Sequence, residues 1–197
     1  MSSTGIEAAH ASMVTMTDSS RKSLLLISGS TREGSINTAV LKTSATLLPW
    51  GWDATLHSGL TQLPHFNPDL EQSGPPSIVA DLRRSIRESE AVLFCTPEYA
   101  GAMPGALKNL LEWTIGDTVM SDKPVGWINP STAPRRAAGT YETLRTVLSY
   151  TGAAIIDDAC IDIPIARSQV GETGTIEDSA IQKQLHTAVT TLTSAQP

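Results

Sequence analysis

The sequence predicts an α/β domain built on one parallel sheet covered on both faces by helices. Three observations point to it. Short apolar runs alternate with longer amphipathic stretches along most of the chain. Several of these runs are apolar throughout, as strands buried on both faces must be. Two of them open directly into loops rich in Gly, Ser and Pro that lead into helices: residues 28–37 (SGSTREGSIN) and 96–109 (TPEYAGAMPGALKN). In an open α/β sheet, ligands bind outside the carboxyl ends of the strands where the strand order reverses. Two such loops meeting there make one site.

The elements follow in order. Residues 23–28 form the first strand. A helix over about 35–48 places Ile36, Val40, Leu41, Ala45 and Leu48 on one face, and the Pro-Trp-Gly at 49–51 ends it. The second strand, 53–57, is weaker, and turn formers fill 58–76. Helix 77–90 sets Ile78, Leu82 and Ile86 at i, i+4 and i+8, with its arginines and glutamates on the other face. The third strand is 91–95. Pro104 starts the next helix, because its missing N–H and fixed φ suit the first turn. Leu107, Leu110 and Leu111 face inward there, and Gly116 stops it. The fourth strand is 124–129, followed by a loop to about 136 and a helix over 137–151 that closes at Gly152. The fifth strand lies within 153–163. A last helix covers 176–192, with Glu177 and Asp178 in its first turn. Five strands with these helices suit the order 2-1-3-4-5 of a flavodoxin-like three-layer sandwich.

Length and composition bound the rest. The chain of 197 residues reads as one domain over 23–193. A flexible tail, 1–22, precedes it; it is rich in Ser, Thr and Ala and lacks the charged start and apolar core of a signal peptide. The net charge of −6, with no basic cluster beyond Arg83-Arg84 and Arg135-Arg136, argues against nucleic acid as a partner. Cys95 and Cys160 lie far apart in apolar surroundings and read as a reduced, buried pair, which fits a cytoplasmic protein. The apolar runs are too short to span a membrane. His10, His57, His65 and His186 are scattered without metal-ligand spacing, and no GxSxG elbow is present. Asp157-Asp158 reads as solvated surface. Trp50 and Trp52 read as partly core.

The first loop has the chemistry of a phosphate cradle. A helix N-terminus presents free N–H groups and a partial positive charge. Ser30 and Ser35 add hydroxyls, Asn37 an amide, and Arg32 a guanidinium that can hold two phosphate oxygens at once. Gly29 and Gly34 let the backbone come close. The loop lacks GxxxxGK[ST] and GxGxxG, so a terminal phosphomonoester fits it better than a pyrophosphate. The bland alternative is that Ser35 merely caps the helix and Arg32 is solvated. In the second loop Pro97 and Gly101 bend the chain, Tyr99 offers a flat face, and backbone groups can read the edge of a heterocycle. Glu98 orients a backbone group or a partner chain, or acts as a base. An ordinary βα loop with a buried Tyr is the alternative.

With these motifs in hand, the chain resembles the NADPH-dependent FMN reductase family. These are flavodoxin-like flavoproteins that include azo-, quinone- and chromate-reducing enzymes. The matching motifs are GSTREGSIN at 29–37 and PEYAGAMPGALKNLLEW at 97–113. The resemblance covers about residues 23–171. It implies that Ser30, Arg32, Ser35 and Asn37 hold the phosphate of FMN, with Ile36 beside them in the cofactor site. It implies that Pro97, Glu98, Tyr99, Ala100 and Gly101 line the flavin ring, with Asn129 and Ser131 of a third loop contributing. The family often has Asn where this chain has Ala100, and its third loop usually contains a Ser and a Gly-Gly pair, whereas residues 129–139 here (NPSTAPRRAAG) lack the diglycine. Arg135 and Arg136 either receive the phosphates of a nicotinamide nucleotide or are solvated.

The resemblance implies an FMN-dependent oxidoreductase. It would take hydride from NADPH or NADH and reduce a quinone, azo compound or flavin by a ping-pong mechanism. No catalytic side chain is expected, because the flavin does the chemistry. A homodimer or dimer of dimers is implied. The helix after Pro104 supports it, since Leu110, Leu111, Trp113 and Ile115 are more apolar surface than one sheet face needs. The alternative is a flavodoxin-like electron carrier for a protein partner.

Overall fold

A computed structural model describes residues 21–135 and 137–195. The expected tail up to residue 20, with His10, lies outside the described residues, as do Arg136 and the last two residues. The strands are β1 (Lys22–Ser28), β2 (Trp52–Leu56), β3 (Ala91–Cys95), β4 (Pro124–Asn129) and β5 (Ala154–Asp162). The helices are α1 (Ile36–Thr46), α2 (Pro68–Ser73), α3 (Ser77–Glu88), α4 (Gly105–Glu112), α5 (Ala138–Tyr150) and α6 (Ser179–Ser194). The five strands form one parallel sheet in the expected order β2-β1-β3-β4-β5.

Alternation along the apolar strands divides the core in two. Leu25 and Ile27 of β1 and Val92 and Phe94 of β3 pack against α3, α4 and α5. Leu24, Leu26, Leu93 and Cys95 face α1 and α6. All eight are at most 1% exposed, and burying a side chain of this size is worth roughly 1.5–3 kcal/mol. A strand that must feed two layers cannot alternate with polar residues, which is why these runs are apolar without a break.

The structure departs from the sequence reading at several places. Residues 68–73, expected as loop, form α2. Asn67 caps it by accepting the N–H of Asp69 at 2.9 Å, and Pro68 fills its first turn. Glu71 of α2 then pairs with Arg83 of α3 at 2.6 Å. Arg83 was expected on the solvated face, yet it is 5% exposed and also donates to the Trp113 carbonyl at 2.8 Å. A buried guanidinium is tolerable because both contacts satisfy it. α1 stops at Thr46 rather than Leu48, because Pro49 pushes its predecessor out of the helical region. α3 ends at Glu88, since the Glu90 N–H already joins the sheet at the Ser23 carbonyl (2.9 Å). α6 starts at Ser179, with Asp178 as its cap rather than in its first turn. The cap accepts the N–H groups of Ala180 and Ile181 at 2.9 and 3.1 Å.

Trp50 is 96% exposed and is not core, whereas Trp52 is half-buried beneath the Lys22 ammonium. Leu110, Leu111 and Trp113 are fully buried inside this chain, and of the four residues held to favour a dimer only Ile115 is exposed. Trp113 fills the space between α4 and the segment after β2. Its indole donates to the Pro64 carbonyl at 2.8 Å, and Phe66 meets its ring edge-on at 5.0 Å. The surplus apolar surface expected on that helix is absent. Cys160 is half-buried rather than buried.

Candidate functional site

The strand order reverses between β1 and β3, and the loops that follow these two strands start side by side there. The ends of the two strands touch. The Gly29 N–H donates to the Cys95 carbonyl at 2.9 Å. A Cβ at Gly29 would lie 2.0 Å from Thr96 Oγ1 and 2.5 Å from Thr96 Cβ. Gly29 is therefore required for the close approach of the two loops to each other.

The first loop is held open by its serines. Ser28 Oγ accepts the N–H of Ser30 (3.3 Å), Ser30 Oγ that of Arg32 (3.3 Å), and Ser35 Oγ that of Asn37 (3.2 Å). Each hydroxyl satisfies the N–H two residues on, which curls the chain without a helix or ladder. Ser35 is the N-cap of α1, and the first turn of that helix carries no acidic residue. That turn therefore offers no carboxylate of its own to the helix's positive end. Asn37 is buried. Its amide donates to Ser35 Oγ at 3.3 Å and accepts the Cys95 thiol at 3.4 Å, which leaves one amide N–H. Burial pushes the Cys95 thiol well above its ordinary pKa, so it stays protonated and is no nucleophile. Arg32 is exposed and forms no ion pair among the described residues.

The second loop is a tight hairpin. The N–H groups of Tyr99 and Ala102 bond each other's carbonyls at 3.0 and 3.1 Å, and the two central residues have positive φ, Ala100 at 52° and Gly101 at 77°. A two-residue turn with both centres left-handed suits Gly and Asn, not Ala. Ala100 is exposed, so the strain has no packing benefit to offset it. Ala100→Asn is therefore expected to stabilise the protein by about 1 kcal/mol. A chemical-denaturation midpoint that falls or stays put would show that the turn carries no strain.

Glu98 orients a backbone group. Helix α5 is entered through Ala137 in the left-handed region and has no side-chain cap of its own. The Thr140 N–H in its first turn donates to Glu98 Oε2 at 3.2 Å. The two elements meet again beside it: a Cβ at Gly139 would lie 2.1 Å from the Gly101 carbonyl oxygen. The Tyr141 hydroxyl reaches the Thr96 and Ile128 carbonyls at 3.2 and 3.0 Å, bridging the ends of β3 and β4. Burial holds that phenol protonated, well above its ordinary range. The first turn of α5 thus seats the second loop.

Ile36, Asn37, Pro97, Glu98 and Ser131 line one cleft of about 360 Å³ at the strand ends, within the size range of small-molecule sites. Ser30, Arg32 and Ser35 belong to the loop that borders it, and Tyr99, Ala100 and Gly101 form the exposed hairpin at its rim. Asn129 stands behind the wall. Its amide donates to Asp162 at 2.8 Å, and its oxygen accepts the Ser131 N–H at 3.1 Å. The sequence reading missed Thr96, Pro130, Thr132, Ala133, Ala137 and Ile165, which also line the cleft. Ile165 comes from beyond β5 and is brought in by its N–H on the Pro130 carbonyl at 3.0 Å. No local motif announces it.

The family described as NADPH-dependent FMN reductase matches residues 23–166. An NAD(P)H-dependent FMN reductase of Pseudomonas aeruginosa is 32% identical over 168 residues, covering 82% of this chain and 90% of that one. A quinone reductase of Escherichia coli is 28% identical over 142 residues, covering 71% and 76%. Among solved structures, the flavoenzyme NAD(P)H:(acceptor) oxidoreductase FerB from Paracoccus denitrificans superimposes with a TM-score of 0.71 at 26% identity, over 87% of this chain and 97% of that one.

Proposed function

This chain belongs to the NADPH-dependent FMN reductase family, and from that premise we propose how its cleft serves the reaction. It is an NAD(P)H-dependent FMN oxidoreductase. The observation that carries the reading is the convergence of both motif loops on one cleft at the β1/β3 reversal. The residues present fit a flavin mononucleotide. A dianionic phosphate suits the positive start of α1, whose first turn carries no acid, together with Arg32, the Ser30 and Ser35 hydroxyls and the remaining Asn37 N–H. An apolar ring suits walls made by Ile36, Pro97, Pro130, Ala137 and Ile165.

When bound, FMN supplies two-electron redox chemistry that no side chain offers. The protein's work is then to bind, orient and exclude water. The serines of the first loop keep it open, and Glu98 and Gly139 lock the second loop onto α5. Backbone N–H groups of the second and third loops would stabilise negative charge on the ring. This reading gives no side chain in the cleft an acid or base role in the hydride step.

One cleft receives both substrates, so a nicotinamide nucleotide and a small acceptor such as a quinone use the same position in turn. Purified protein is expected to be yellow and to release FMN on heating. Double-reciprocal plots of NADPH oxidation at several fixed quinone concentrations should run parallel. Colourless protein that takes up no flavin would sink the cofactor assignment. Intersecting lines would sink the single-position mechanism alone. No turnover with any small acceptor would favour the electron carrier. A homodimer or dimer of dimers is proposed from the resemblance, with the exposed Tyr99 at the cleft rim as surface that a second subunit covers. A monomer mass by light scattering at micromolar concentration would remove it. Among the described residues no helix is long and apolar enough to cross a membrane; the cytoplasmic placement is proposed from the reduced cysteines.

A further inference from the structure

We infer that Arg167 is a positioning residue for the phosphate end of the cleft, one that favours a phosphorylated flavin over an unphosphorylated one. The inference rests on the flavin reading above. Arg167 opens a short 3₁₀ turn, Arg167–Gln169, just beyond β5 and one residue past the stretch that matches the family. It does not line the cleft. Its Nη1 donates to the carbonyl of Gly34, on the far side of the first loop. Gly34 sits at φ 61°, and a Cβ there would lie 3.2 Å from Arg167 Nη2. The guanidinium therefore closes directly on the backbone.

The peptide plane gives this contact its consequence. The described residues contain no cis peptide bond. In a planar trans peptide the carbonyl and the following N–H point in opposite directions. Arg167 draws the Gly34 carbonyl outward, so the Ser35 N–H turns away from it, toward the opposite side of the loop. Ser35 is the N-cap of α1, so this donor joins those of the first helical turn. A cation on the carbonyl also polarises the peptide and strengthens its N–H as a donor. Arg167 is itself fixed. Ala166 donates to Gln169 Oε1 at 2.8 Å, and the preceding Ile165 is bonded to Pro130 of the third loop at 3.0 Å. The segment after β5 thus ties the third loop to the first.

The test titrates FMN and riboflavin into apoprotein by quenching of flavin fluorescence, for the wild type, Arg167→Ala and Arg167→Lys. Arg167→Ala is expected to weaken FMN about tenfold, as for loss of a charged hydrogen bond, and to leave riboflavin unchanged. Arg167→Lys should recover part of the FMN affinity by restoring the charge without the fork. Both ligands are read on one preparation, so partial unfolding lowers both and leaves their ratio intact. An unchanged FMN-to-riboflavin ratio in Arg167→Ala overturns the inference. A wild type that binds FMN and riboflavin equally overturns it through the phosphate assignment, and a wild type that binds neither overturns the flavin reading beneath it.

Discussion

Arg32→Ala is expected to weaken FMN binding by about 2 kcal/mol, roughly thirtyfold, while leaving riboflavin almost untouched. The other phosphate donors proposed in the first loop are groups that the fold has already fixed. The Ser35 hydroxyl is tied into the cap of α1, and Asn37 is held between Ser35 and Cys95. Arg32 is different. It is exposed and has no ion-pair partner among the described residues, so its removal costs the fold little and a dianion much. Exposure to water keeps the effect at the low end for a charged contact to phosphate. Isothermal titration of both flavins checks it. Equal weakening of the two ligands would mean that Arg32 acts on the ring or on folding, and no weakening would mean that the guanidinium stays in solvent. A double variant with Arg167→Ala is informative as well. One residue meets the phosphate and the other sets a peptide behind it, so their losses should fall short of additive.

Gly29→Ala is expected to cost about 1–3 kcal/mol of stability by overpacking, and to weaken both flavins together. The added methyl would meet Thr96 at Oγ1 (2.0 Å) and at Cβ (2.5 Å). A rotamer change can move the hydroxyl but not the Cβ, so the ends of β1 and β3 must separate. That separation pulls the two ligand loops apart, which no change at the ring or the phosphate alone would do. Gly105→Ala is the matched control. It lies at the start of α4 with nothing within 4 Å of the new methyl, and Ala suits a helix better than Gly. For a chain of this length each kcal/mol lowers Tm by roughly 2–4 °C. A Gly29→Ala protein that melts with the wild type would show that the strand ends part without cost.

Much of the candidate site was legible because its chemistry is local. A serine that satisfies the N–H two residues on, a glycine where backbones meet and a proline before a helix act over a few residues, and a linear reading finds them. The role of Gly29 was half legible: close approach was expected, but toward a phosphate rather than toward Thr96. Glu98 could be narrowed only to three roles. Its partner Thr140 is 42 residues away, and nothing near position 98 says which N–H it will meet.

What the sequence determined by itself is the strand–helix alternation and the two motif loops, and the order 2-1-3-4-5 follows from the fold class that this alternation suits. The reason is that periodicity and turn chemistry are short-range, and that unbroken apolar strands leave little choice but a sheet covered on both faces. Tertiary structure alone decided the rest. It buried Arg83 against Glu71 and the Trp113 carbonyl, and absorbed Leu110, Leu111 and Trp113 into this chain's own core. It also brought Ile165 and Arg167 from beyond β5 to the two ends of the site. Each of these depends on which distant group happens to satisfy a charge, a carbonyl or an apolar face once the layers have packed, and that pairing is a property of the folded chain rather than of any stretch of it.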